Sequence, residues 1–108
     1  MPVYNKLVRD RILEIIESDG LVYNARILEP TELLKEVKAK MIEEAKEFQT
    51  TKTVNESVEE LADVLELIHT ALSTLGVTYD ELDEVRLQKK VRRGGFEKAI
   101  YLVDVKDK

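Results

Sequence analysis

The chain reads as a mainly α domain, a four-helix bundle-like arrangement with a small two-stranded sheet formed by segments near residues 21–28 and 96–105. Three observations lead there. Apolar residues recur at spacings of three and four through most of the sequence. Capping patterns, Pro30 and the glycines at 20, 76 and 94 cut it into pieces of helical length. The 108 residues, 44% hydrophobic and 36% charged, suffice for one domain, 1–108, with a core that needs no disulfide or metal staple.

The first helix is expected over residues 5–19, with Leu7, Val8, Ile12, Ile15 and Ile16 on its apolar side and Gly20 ending it. Residues 21–28 are rich in Val, Tyr, Ile and Leu and lack a helical period, so they read as a strand. Pro30-Thr31 opens a second helix carrying Leu34, Val37, Met41, Ala45 and Phe48, which residues 50–53 interrupt. Thr53-x-x-Glu56 is a capping-box pattern and starts a third helix that runs to Leu75 before Gly76. Its stripe is Val58, Leu61, Leu65, Ile68, Leu72 and Leu75, widened by Val64, Leu67 and Ala71. Thr78-x-x-Glu81 caps a fourth helix that stops near Arg93 at Gly94-Gly95. Residues 96–105 read as a second strand, and the polar tail 106–108 as frayed. Two apolar strands at opposite ends of a helical chain most simply pair with each other, covered by helices on one face. At 1.5 Å per residue the third helix is ~33 Å long, about the width of a domain this size. Its broad apolar surface therefore calls for a second copy of the chain.

Composition removes several functions. Without cysteine there is no disulfide framework, thiolate zinc site or cysteine nucleophile. The single histidine, His69, leaves no His-rich zinc site and reads as a packed or partly exposed side chain. Ser18, Ser57 and Ser73 sit in no Gly-x-Ser-x-Gly turn. No apolar run approaches a membrane span, and the first residues lack a signal-peptide core, so a cytoplasmic location is expected. A net charge of −5 with 6% aromatics argues against nucleic acid as partner. Chemistry in such a chain falls to carboxylates and a metal.

The segment Glu43-Glu44-Ala45-Lys46-Glu47 is followed, after twelve residues, by Glu60-Leu61-Ala62-Asp63. Within the segments Glu44 and Glu47, and likewise Glu60 and Asp63, are three apart and share a helix face. A short connection makes the two helices antiparallel neighbours, so the pairs can face each other. Glu44 and Glu60 project beside apolar stripes, where an unpaired carboxylate is costly. Such pairs also arise on ordinary helix surfaces. If they converge, a cation between them relieves the repulsion, and all-oxygen ligands favour Mg²⁺, with Mn²⁺ the alternative.

Charge is segregated around that centre. Eleven acids and five lysines lie between Glu29 and Glu66, whereas Arg86, Lys89, Lys90, Arg92 and Arg93 form an acid-free basic run. Lys6, Arg9 and Arg11 surround Asp10 near the other end. Lysines and arginines rimming an acidic metal centre suit a polyphosphate; Arg92 and Arg93 equally suit a solvated helix end. Gly94-Gly95 reads as a helix cap and turn, with approach of a phosphate to its amides the other reading. Tyr4, Tyr23, Tyr79 and Tyr101 could each stack on a base or pack on the core.

Glu43-Glu44-x-x-Glu47, a gap of twelve, and Glu60-x-x-Asp63 resemble the metal motif of the all-α nucleotide pyrophosphohydrolases, which include MazG-like enzymes. Tyr4-Asn5-Lys6-Leu7-Val8-Arg9-Asp10-Arg11, with Arg93-Gly94-Gly95-Phe96-Glu97-Lys98, is similar to the small phosphoribosyl-ATP pyrophosphohydrolase-like branch. Leu13 departs from that branch where proline is expected, and Arg92 where an acid is expected. The resemblance implies an all-α NTP pyrophosphohydrolase fold, in which Glu44, Glu47, Glu60 and Asp63 ligate Mg²⁺ and Glu43 is an auxiliary acid. It implies cleavage between the α and β phosphates of a nucleotide, releasing a monophosphate and pyrophosphate, and assembly as dimers or dimers of dimers. Lys6, Arg9, Lys89, Arg92 and Arg93 are then candidates for binding substrate phosphates. The competing expectation is a non-catalytic helical module that binds a nucleotide, or only its own copy.

Overall fold

The computed structural model describes residues 2–107 and holds four helices among them: α1 (Ile12–Ser18), α2 (Pro30–Gln49), α3 (Val54–Leu75) and α4 (Tyr79–Arg93). The chain divides between Val77 and Thr78 into two compact units. The first carries α1, α2 and α3; the second carries α4 and the residues after it.

The first unit is built on α2 packed against α3, an αα-hairpin with a four-residue connection, residues 50–53. Pro30 starts α2 at the position where its missing N–H is not needed. At the turn, the hydroxyls of Thr50 and Thr51 donate to the carbonyls of Glu47 and Phe48, each at 2.8 Å, which satisfies the open end of α2. Thr53 then caps α3, accepting from the Glu56 amide at 3.1 Å. The Glu56 carboxylate reaches back one residue beyond the usual capping box, to the Lys52 amide at 3.0 Å. At its far end α3 stops at Gly76, whose φ of +72° is left-handed. The Val77 amide there donates to the Leu72 carbonyl, so the last turn is closed. The core between these helices is small: Val37 is fully buried, and Leu67 and Leu72 nearly so.

The first helix is shorter than its periodicity predicts. Asn5 has a φ of +45°, outside the helical region, and the Ile12 amide donates to the Arg9 carbonyl in a tight turn. Arg11 occupies the cap position with no side-chain acceptor for the free amides. The helix therefore starts at Ile12 rather than at residue 5.

The expected two-stranded sheet is not formed, and no strand occurs among the described residues. A strand requires a second backbone for its ladder, and apolar content alone does not supply one. Residues 21–28 are instead held by side chains. Tyr23 Oη donates to Glu17 Oε1 at 2.8 Å, and Arg26 pairs with Glu32 at 2.9 Å. Val22 and Ile27 are left exposed.

In the second unit Thr78 caps α4, accepting from the Glu81 amide at 3.1 Å. Acids lie in the first turn and Lys90, Arg92 and Arg93 in the last, as the helix dipole favours. Gly94 ends it with φ +83° and ψ 171°, a conformation essentially restricted to glycine. The segment 96–105 turns at Ala99, whose φ is +53° and whose amide donates to the Phe96 carbonyl, so it is not one extended run. Its apolar side chains, from Ile100 to Val105, are exposed. Lys90 pairs with Glu97 at 2.9 Å and draws that carboxyl below its ordinary range. Residue 108, the end of the tail expected to fray, lies outside the described residues. No single helix among the described residues is long and apolar enough to cross a membrane.

Candidate metal centre

Glu44 sits seven residues, two helical turns, after Val37 and so shares its buried face on α2. Only 7% of the residue is exposed, which makes it the one charged residue in the core among those described. The sequence projection put it on the flank of the apolar stripe; the packing brings it inside. On α3, Glu60 lies seven residues before the buried Leu67, on the face turned towards α2.

The carboxylates gather into two groups. One oxygen each from Glu43, Glu44 and Glu47 lie within 4.8 Å of one another, and so do oxygens from Glu44, Glu60 and Asp63. Glu44 is common to both groups. All five acids of the sequence motif are thus brought together, from two helices that the Thr50–Thr53 turn folds back on each other.

The charge of this cluster is only partly compensated. Glu44 Oε2 and Glu60 Oε2 are buried with no hydrogen-bond partner. Burial pushes the Glu44 carboxyl up to about 7, and the close approach of the Glu60, Glu47 and Asp63 carboxylates adds to it. Two basic side chains reach the acids. Arg9 donates from Nη2 to Asp63 Oδ1 at 2.6 Å, and Lys40 Nζ stands 3.7 Å from Glu43 and 3.9 Å from Glu44. Neither meets the two orphaned oxygens. A buried carboxylate without a donor is stabilised by a proton or by a cation, and this arrangement accepts either. The cluster could hold a metal ion. Its donors are all oxygen, which suits a hard cation.

The other predicted site residues fall in two places. Lys6 lies over the Tyr4 ring, 5.7 Å from its centre, while Arg9 is in the cluster. Lys89, Arg92 and Arg93 are exposed on the last turns of α4, in the second unit. Arg92 there borders a shallow recess with Glu84, Leu87, Gln88 and Val91. The Gly94 amide is taken by the Lys90 carbonyl at 2.8 Å, which favours the cap reading over a phosphate nest.

Lys40 was not legible as a site residue, although its place three and four residues before Glu43 and Glu44 is a pairing signal. The same is true of an acidic cleft of about 240 Å³ beside the cluster, which Glu47 and Glu60 share with Thr50, Thr51, Glu56 and Glu59. Compared with known proteins, the chain matches no family model, no curated protein and no solved structure.

Proposed function

We propose that the protein is a Mg²⁺-dependent nucleotide pyrophosphohydrolase. It would cleave the α–β phosphoanhydride of a nucleoside triphosphate, or of a phosphoribosyl-ATP-like substrate, to a monophosphate and pyrophosphate. The observation that carries this reading is the pair of buried carboxylate oxygens with no partner, Glu44 Oε2 and Glu60 Oε2, at the junction of two three-carboxylate groups. The motif resemblance supplies the reaction class.

Glu44, Glu47, Glu60 and Asp63 would hold the ion. Bound Mg²⁺, for which Mn²⁺ can substitute, would polarise phosphate oxygens and lower the pKa of water in the site. Water then adds across the anhydride: a new P–O bond forms to the water oxygen, the bond to the bridging oxygen breaks, and that oxygen leaves on pyrophosphate. Glu43, on the outer group, is the carboxylate assigned to orient the water and take its proton. Arg9 and Lys6 neutralise phosphate charge from the amino-terminal side.

Solution assembly as a homodimer belongs to the same reading. Val58, Leu61 and Leu65 follow a three–four spacing along the first half of α3 and are all exposed within one chain, the pattern of a seam awaiting a second helix. A cytoplasmic setting suits a cysteine-free nucleotide hydrolase. The alternative, a non-catalytic nucleotide-binding or dimerisation module, accounts for that seam, and accounts for the orphaned carboxylates only where the nucleotide is bound together with a cation.

The test is pyrophosphate release with and without Mg²⁺ across canonical and modified nucleoside triphosphates and phosphoribosyl-ATP. Release that requires the metal and disappears in a Glu44→Gln, Glu47→Gln double variant is expected. A folded, Mg²⁺-binding protein that turns over none of them would favour the module.

A further inference from the structure

The Arg9–Asp63 contact joins residues 54 positions apart, from the turn that precedes α1 to the middle of α3. The turn itself is fixed, because the Arg9 carbonyl accepts the Ile12 amide at 3.0 Å. The Arg9 side chain remains about half exposed, and Asp63, which it meets, about two-fifths exposed. It binds Asp63 through one nitrogen, at 2.6 Å, although a guanidinium can grip a carboxylate or phosphate through two. Asp63 belongs to the same group of converging oxygens as the buried Glu44 and Glu60. Arg9 and a divalent cation therefore claim the same carboxylate, and two cations side by side on it would repel.

We propose that Arg9 is a resident counter-ion that gives up Asp63 when a divalent cation is loaded and is thereby released to grip a substrate phosphate. This rests on the pyrophosphohydrolase reading. It adds an order of events: metal first, then phosphate, with one arginine serving both states. The guanidinium suits the exchange because it is permanently charged, weakly hydrated and shaped for two oxygens. Lys40 does not share the role, since it stands 3.7–3.9 Å from carboxylates on its own helix and makes no link between elements.

The experiment titrates Mn²⁺ into the wild type and into Arg9→Gln and Arg9→Lys variants, reading free Mn²⁺ by electron paramagnetic resonance. It then measures inorganic pyrophosphate binding to each Mn²⁺-loaded protein. Removing an exposed competing charge should tighten Mn²⁺ by roughly two- to fivefold in Arg9→Gln. The same variant should bind pyrophosphate more weakly, with Arg9→Lys between it and the wild type. A residue that merely buttressed the fold would weaken the metal or leave it unchanged. Unchanged or weaker Mn²⁺ binding in Arg9→Gln, with the wild type binding normally, overturns this inference and leaves the pyrophosphohydrolase reading standing. A wild type that binds no Mn²⁺ overturns both.

Discussion

The two faces of α3 are inverted with respect to what each side chain would choose. Towards α2 it presents Glu60 and Asp63, drawn into a cluster around the buried Glu44. Elsewhere on its circumference Val58, Leu61 and Leu65 are exposed to solvent. Each face is unsatisfied, and the size of what is missing differs. The acidic face lacks one small positive charge, since two of its oxygens have no donor. The apolar face lacks a cover over the first half of the helix, whereas Leu72 farther along it is buried. One helix thus carries the signature of a cation site on one side and of a subunit contact on the other.

The comparison breaks most sharply at two leucines two residues apart. Leu67 is in the core of the hairpin, and Leu67→Ala should cost roughly 2–5 kcal/mol of stability, read by chemical denaturation. Leu65 is exposed, so Leu65→Asp should leave the helical far-ultraviolet circular dichroism intact while converting the proposed dimer to a monomer by sedimentation. A Leu65→Asp variant that stays dimeric would assign the seam to something other than a second copy.

The acidic face is sharpened by pH. The folded-state pKa of Glu44 is raised to about 7 from an ordinary 4.5. Between those values the native chain binds more protons than the unfolded one, so stability falls as pH rises through this window and the penalty is complete above 7. The metal-free protein should therefore melt at a lower temperature at pH 8 than at pH 5.5 on this account, and Glu44→Gln should reduce that difference. Because the ion must displace the proton, Mn²⁺ affinity should weaken by up to about tenfold for each unit of acidity below 7. The smallest effect is at the turn that sets the register of the two helices. Thr53→Ala removes the cap of α3 and should cost about 1 kcal/mol.

Much of this was legible in residues. Thr53 and Thr78 cap the helices that their patterns announce, and α2 and α3 run where three–four spacing puts them. Four of the acids could be named because helical periodicity and a short connection suffice to bring i and i+3 pairs face to face, whereas Glu43 was named only through the motif resemblance. The sheet misread apolar content as pairing: Val22, Ile27 and Ile100–Val105 are rich in strand-forming types, yet a ladder depends on a partner backbone that no local pattern specifies. The start of α1 was lost for a related reason, since Asn5 and the Arg9–Ile12 turn are backbone choices that the apolar side chains around them do not announce. The depth of Glu44 and its contact with Lys40 depend on how closely α2 and α3 approach, which is a property of packing rather than of spacing.

The central claim is that the Glu44 cluster is incomplete without a cation. Thermal unfolding of wild type and Glu44→Gln, each with a chelator and then with saturating Mg²⁺, tests it most directly. A ligand that binds only the native state raises its melting temperature in proportion to the logarithm of its concentration over Kd. A Mg²⁺-dependent rise is expected in the wild type, and little or none in Glu44→Gln, whose metal-free form already melts higher because the orphaned charge is gone. Equal Mg²⁺ stabilisation of the two proteins, or none in the wild type, would contradict it.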